Sequence, residues 1–230
     1  MMQLMPQSST VENYLKAIYQ AEISQDSHGE LVPMGQLSSA LGVVPGTATT
    51  MVKALAETGL VIYEPYSGVK LTEAGQKLAA LVLRRHRLLE LFLVKVLDMS
   101  WDEVHEEAER LEHAASERLI ERIDIMLGRP RVDPHGDPIP DADGAIETPR
   151  YQSLLTCPLG TVLVLSRVIN QDGEFLRFLE GNELTPGQSI CVENRDNAAD
   201  HVLVRRIGSQ ESIVIGMRAA ATLLVANVSQ

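Results

Sequence analysis

MGQLSSALGVVPGTATTMVKALAETGLVIYEPYSGVKLT, Met34 to Thr72, decides the fold of the N-terminal part. Its first ten residues form a short helix that stops at Gly42, and Pro45 opens a second that Gly59 closes. Proline suits the first helical turn because its missing N–H would be unpaired there, and glycine suits the left-handed residue after a helix end. Two helices joined by a short glycine-containing turn form a helix-turn-helix. LVIYE and GVKLT then flank PYSG, with Pro65 early and Gly68 late, and so form a β-hairpin. Helix pair plus hairpin reads as a winged helix. Upstream, Val11, Leu15, Ile18, Tyr19 and Glu22 share related faces of a helix from about Thr10 to Ile23, and the polar break SQDSHGE follows. Downstream, Thr72 caps a long helix that carries Leu78, Leu81, Val82, Leu88, Leu89 and Phe92 to about Leu97.

The next helix is bounded by Ser100 and Glu103, spaced as a capping box, and by Leu127-Gly128 with Pro130 beyond. It contains EVHEEAERLEHAASERL, Glu103 to Leu119, with two histidines and six glutamates. Arg129 to Arg150 holds five prolines and two glycines and reads as a linker. Short β-type runs follow, TVLVLSRVI, QSICVEN, HVLVRRI, SIVIG and TLLVANV, the pattern of a small SH3-like β-barrel. The expected fold is mainly α with a small β module. Its divisions are a winged helix in 1–75, a helical domain in 76–146 with the proline-rich linker from 129, and the β module in 151–230.

At 230 residues the chain is long enough for two or three small cores. It has no apolar run approaching the roughly 18 residues of a membrane span and no charged-then-apolar leader, so a cytoplasmic protein without a membrane partner is expected. Cys157 and Cys191 lack CxxC spacing and read as buried reduced thiols. The net charge of −11 argues at first against nucleic acid. The acid is unevenly spread, however: 1–97 hold eight Lys/Arg and eight Asp/Glu, leaving twelve and twenty-three for 98–230.

Helical positions four apart stack on one face. His105, Glu109 and His113 make such a ladder with Glu112 on its edge, and His86 and Glu90 repeat the spacing on the preceding helix. Imidazole with carboxylate suits Mn, Fe, Co, Ni or Zn, and the lack of thiolate argues against a structural zinc. The plain alternative for a Glu-rich helix is a solvated face, and that is the reading for Glu103, Glu106, Glu107 and Glu117.

A winged helix, then RRHRLLELFL, EVHEEAERLEHAASERL and PHGDPIP resembles the diphtheria-toxin-repressor (DtxR/MntR) family of metal-dependent transcriptional regulators, and FLRFLEGNELTPGQSICV resembles its SH3-like, FeoA-type module. The resemblance implies a homodimer, an activating metal site at Glu109, Glu112, His113 and Asn13, and an ancillary site at His86, Glu90 and His105 with ligands near Gln171 and Glu174. Two departures stand out. Familiar members carry methionine or aspartate where this chain has Asn13, and manganese-type members carry glutamate where it has Lys16. Iron-type members have cysteine at position 109; the harder Glu109 points to Mn2+ or Fe2+ held through oxygen and nitrogen. Metal would fix the first helix, and with it two recognition helices about 34 Å apart, for a palindromic double-stranded operator. Repression of metal uptake is the implied role.

On the recognition helix, Thr47 and Thr50 are candidates for base edges and Thr49 and Lys53 for phosphates, with Ser67 and Lys70 of the wing and Ser38 and Ser39 before the turn also facing phosphate. Helix capping or packing is the plain alternative for each threonine. Two other functions compete. A winged-helix regulator of an organic ligand would leave the His/Glu set structural. A di-iron carboxylate enzyme would need E-x-x-H motifs, and no glutamate here lies three residues before a histidine.

Overall fold

The computed structural model describes residues 8–24, 30–147 and 149–228; the polar break SQDSHGE lies outside them apart from its two ends. In chain order the elements are α1 (Ser9–Ser24), α2 (Met34–Ala40), α3 (Pro45–Glu57), β1 (Val61–Glu64), β2 (Gly68–Leu71), α4 (Glu73–Leu97), α5 (Val104–Leu111) and α6 (Glu117–Met126). There follow β3 (Gln152–Ser153), β4 (Val162–Val168), α7 (Gly173–Gly181), β5 (Ser189–Asp196), β6 (His201–Arg206), β7 (Ser212–Gly216), α8 (Met217–Ala220) and β8 (Leu223–Asn227). They form two compact units, one of residues 1–86, 110–120 and 140–146, the other of 87–109, 121–139 and 147–230.

The first unit is the winged helix with the start of α4 and the short segment between α5 and α6. Leu15 and Ile18 of α1, Leu37 of α2, Val52 of α3, Val69 of β2 and Leu83 of α4 are all sealed in its core. The two wing strands pair antiparallel from Val61↔Leu71 to Glu64↔Gly68, which leaves Pro65, Tyr66 and Ser67 at an exposed tip. Val32 pairs with Val69 through two backbone hydrogen bonds, and the Glu22 carboxylate accepts from Leu71 N at 2.7 Å. Burial raises the Glu22 pKa despite that bond. Thr72 caps α4 as expected, its Oγ1 accepting from Gly75 N at 3.2 Å.

The second unit is built on a six-stranded antiparallel sheet in the order β3-β8-β4-β5-β6-β7, with irregularities at Leu165/Arg167 and Val192/Asn194 that bend it. Leu163, Leu165, Ile190, Val192, Val202 and Val204 alternate inward against Leu176 and Leu179 of α7, which Asp172 caps. Both cysteines are free thiols and buried there.

Two expectations change. The single helix from Ser100 to Leu127 is two helices. Backbone bonds from Ala114 N and Ala115 N both return to Leu111 O, and Ser116 then starts α6 by accepting from Leu119 N. The capping box is not formed either: the Ser100 hydroxyl donates to Asp102, and α5 begins only at Val104. The proline-rich stretch is also no loose linker, because Asp133, His135, Asp137 and Ile139 are buried. Charge and turn geometry hold it. Asp133 Oδ1 accepts from His135 N at 2.8 Å and Asp137 N at 2.9 Å, and Arg87 donates to Pro138 O. Gly136 has φ of 85°, and a Cβ there would lie 2.0 Å from Ser166 O. We therefore expect Gly136→Ala to destabilise the second unit by about 3 kcal/mol, read as an early urea transition of the sheet.

Candidate metal centre and nucleic-acid interface

The first unit gathers one group of polar side chains around Glu112, in the turn that ends α5. Its carboxylate is 0% exposed. Oε1 accepts from Lys16 Nζ at 2.6 Å, and Oε2 lies 2.7 Å from His86 Nδ1. Burial alone would raise the Glu112 pKa, but His86 and Lys16 hold it below the usual carboxylate range. The neighbouring His113 turns Nδ1 to Glu12 Oε2 at 2.5 Å, while Glu12 Oε1 accepts from Arg85 at 2.6 Å. A carboxylate acceptor at Nδ1 is the arrangement that orients an imidazole to offer Nε2 to a metal. His113 Nε2 is buried without a hydrogen bond, 3.4 Å from Glu112 Oε1, and Asn13 Oδ1 is likewise buried without one. An imidazole nitrogen and an amide oxygen left in this state, together with the Glu112 carboxylate that Lys16 and His86 hold, are the donor types of a borderline or hard divalent ion. They fit the group the resemblance implies.

The second unit holds another group. Glu90 of α4 is 2% exposed and lies 3.2 Å from His105 Nδ1, and His105 Nε2 is 3.9 Å from Glu109 Oε1. Glu90, Asp133 and His135 each bring one ligand atom within 4.8 Å of the others, and all three are buried. His135 stacks on Trp101 and points Nε2 at Trp101 O at 2.9 Å, which leaves Nδ1 buried with no hydrogen bond. Burial, Asp137 and Glu90 together raise the Asp133 pKa well above its ordinary value, against the opposing charge of Arg87. Gln171 donates to Asp137 Oδ2 at 2.8 Å, whereas Glu174 lies exposed in the first turn of α7. His86, one turn before Glu90 on α4, belongs to the first unit, and Glu109 belongs to the second.

On α3, Thr47, Thr50 and Lys53 are exposed and Thr49 is half-buried. Thr49 and Thr50 donate their hydroxyls back to Pro45 O and Gly46 O, at 2.9 and 3.0 Å, so those hydroxyl protons are engaged within the helix. Ser39 and Ser67 are exposed and Lys70 partly so. Ser38 is different: it is 4% exposed and donates to Gly35 O, which removes it from any phosphate-facing surface. A cavity of about 230 Å³, lined by Ala17, Gln20, Ala21, Gln36, Leu37 and Ala40, is smaller than the roughly 300–1,000 Å³ of ordinary ligand pockets.

Residues 7–69 match the family model described as iron dependent repressor, N-terminal DNA binding domain, and 72–141 match iron dependent repressor, metal binding and dimerisation domain. Residues 152–227 match the FeoA domain. An uncharacterised HTH-type transcriptional regulator of Methanocaldococcus jannaschii is 35% identical over 120 residues, 52% of this chain and 94% of that one. The chain belongs to the diphtheria-toxin-repressor (DtxR/MntR) family. Another relative, the iron-dependent repressor IdeR of Mycobacterium tuberculosis, is 36% identical over 131 residues, 57% of this chain and 55% of its own length. Among solved structures, one titled manganese-dependent transcriptional repressor complex with manganese superposes with a TM-score of 0.84 at 38% identity, covering 95% of this chain and all of that one.

For this DtxR/MntR-family chain, sequence reasoning missed Asp133, His135 and Asp137. The motif PHGDPIP was in view, but five prolines made its surroundings look like a spacer. An imidazole and two carboxylates within five residues were the available signal. Sequence reasoning also treated Lys16 only as a missing ligand. Its partner Glu112 lies 96 residues away.

Proposed function

We propose that the chain is a Mn2+- or Fe2+-dependent DNA-binding transcriptional repressor that acts as a homodimer on a palindromic double-stranded operator. The family is one of transcriptional repressors, not enzymes. No helix among the described residues is long and apolar enough to cross a membrane, and we place the protein's work in the cytoplasm. The observation that carries the reading is the buried set of Glu112, His113 Nε2 and Asn13 Oδ1, two of whose donors lack any hydrogen bond.

Asn13, Glu112 and His113 form the activating site in this reading, with Glu109 one turn before His113 retained on spacing. A divalent ion bound there supplies +2 charge amid ten acids and three arginines in 98–128. Asn13 ties α1 to the turn after α5, and α1 in turn packs Leu15 and Ile18 into the winged-helix core. Holding α1 therefore holds the recognition helix α3, and in a dimer two such helices at about 34 Å meet successive major grooves. Thr47 and Thr50 face base edges, and Thr49, Lys53, Ser39, Ser67 and Lys70 face backbone. The ancillary site uses Glu90 and His105 with Asp133 and His135, and His86 joins on its four-residue spacing to Glu90. Gln171 steadies Asp137 rather than binding metal directly. Glu174 has no such support beyond the resemblance.

The test is anaerobic selection of genomic DNA fragments with chelator, Mn2+, Fe2+ or Zn2+. We expect a few palindromic sites to be retained only with Mn2+ or Fe2+; equal retention with chelator would sink the reading and favour an organic effector. Lys53→Ala should then weaken binding alike at every retained site. It should lower the salt slope by about one phosphate contact per subunit, measured by anisotropy across a salt series.

A further inference from the structure

Lys16 lies three residues after Asn13 on α1, is 5% exposed, and reaches a carboxylate oxygen of Glu112 at 2.6 Å. Burying an ammonium costs solvation free energy, and a carboxylate at this distance offsets part of that cost. The oxygen it takes is Oε1, the one 3.4 Å from His113 Nε2. Metal bonds to nitrogen and oxygen of about 2.0–2.2 Å put two ligands of one ion roughly 3–3.5 Å apart, so Oε1 is the oxygen positioned to share an ion with that ring. The other oxygen is turned to His86. Ammonium and ion draw on the same oxygen.

We propose that Lys16 is an internal competitor of the metal. Its ammonium holds Glu112 Oε1 in the metal-free protein, and filling the site requires its expulsion from a buried seat. The inference rests on the reading of Asn13, Glu112 and His113 as a metal site. It goes further by naming what sets the site's threshold: apparent affinity is the intrinsic affinity scaled by the fraction of molecules whose Oε1 is released. It also gives α1 two alternative tethers to the same turn, Lys16 to Glu112 without metal and Asn13 through metal, and so makes α1 the element that differs between the states.

The experiment is calorimetric titration of Mn2+ into full-length, chelator-treated wild type, Lys16→Met, Lys16→Gln, Lys16→Arg and Glu112→Gln, with thermal melts of each. Glu112→Gln identifies the heat of this site. We expect Lys16→Met and Lys16→Gln to bind about 10- to 100-fold more tightly there, and Lys16→Arg to stay near wild type. Both uncharged variants should melt earlier without metal and recover with it. Two neutral variants keep the test open if Lys16→Met fails to fold without metal, since the amide of Lys16→Gln retains a donor for Glu112. Unchanged affinity with an equal loss of stability in both states would make Lys16 merely structural and overturn the proposal. Weaker Mn2+ binding would overturn it too, by making the ammonium a partner of the bound ion. If Glu112→Gln leaves the wild-type heat intact, the site assignment itself fails instead.

Discussion

Metal-stimulated DNA binding is expected to disappear in Glu112→Gln. The substitution keeps shape and one carbonyl acceptor but removes the charge to which Lys16 and His86 are paired. A buried, hydrogen-bonded carboxylate is also the strongest donor in the first-unit set, since the amide of Asn13 and the imidazole of His113 bring no negative charge. We expect Mn2+ affinity to fall by at least about 100-fold, in line with loss of a first ligand where outer partners alone are worth 10–100-fold. Operator retention should become the same with metal as with chelator. His113→Ala should behave alike, while circular dichroism of both variants retains the helix and sheet bands. Metal stimulation surviving both substitutions would remove this cluster from the mechanism.

Arg87→Met is expected to be the most destabilising single change in the second unit. Arg87 is 4% exposed, stands 3.6 Å from Asp133 and 4.0 Å from Asp137, and donates to Pro138 O. Methionine fills similar space yet leaves buried carboxylates without that opposing charge and a carbonyl without that donor. Breaking one side of a buried charge network costs about 3–5 kcal/mol. The pH dependence gives a signature that a packing defect would lack. Asp133 already has a raised pKa, and Arg87 is the charge that opposes the rise. A carboxylate raised in the folded state binds protons more tightly there than in the unfolded chain, so stability is lost as pH rises through the folded pKa and regained on acidification. In chelator, lowering the pH from neutral should therefore restore stability to Arg87→Met sooner and further than to wild type. Urea midpoints that fall in parallel for both proteins as pH drops would refute this account.

The cost of Arg87→Met and the metal dependence of Glu112→Gln arise from different parts of the chain, and the two were not equally legible. The Glu112 and His113 pair stood out through helical spacing and the family pattern around it. The capping signals nevertheless predict one helix where the chain forms two. Capping preferences at Ser100 and Ser116 compete locally, and only the bonds returning to Leu111 show that Ser116 starts a separate helix. In the proline-rich stretch the composition predicts a linker, whereas Asp133, His135, Asp137 and Ile139 are buried. Proline and glycine specify turns, but burial depends on what the turn packs against, and Asp133 acquires its partner Arg87 from a helix 46 residues earlier.

The amino-acid sequence by itself determined the winged helix, the capped start of α4, the strands of the C-terminal module and the family to which the chain belongs. Those features are local: Pro45, Gly42, Gly59 and Thr72 act within a few residues, and apolar periodicity marks which face of a helix or strand is buried. Tertiary structure alone decided that Lys16 holds Glu112, that Ser38 is buried, and that Asp133 and His135 join Glu90. Those facts depend on charges brought together from distant parts of the chain. Coulomb attraction between such groups grows strong only after folding has removed the water between them.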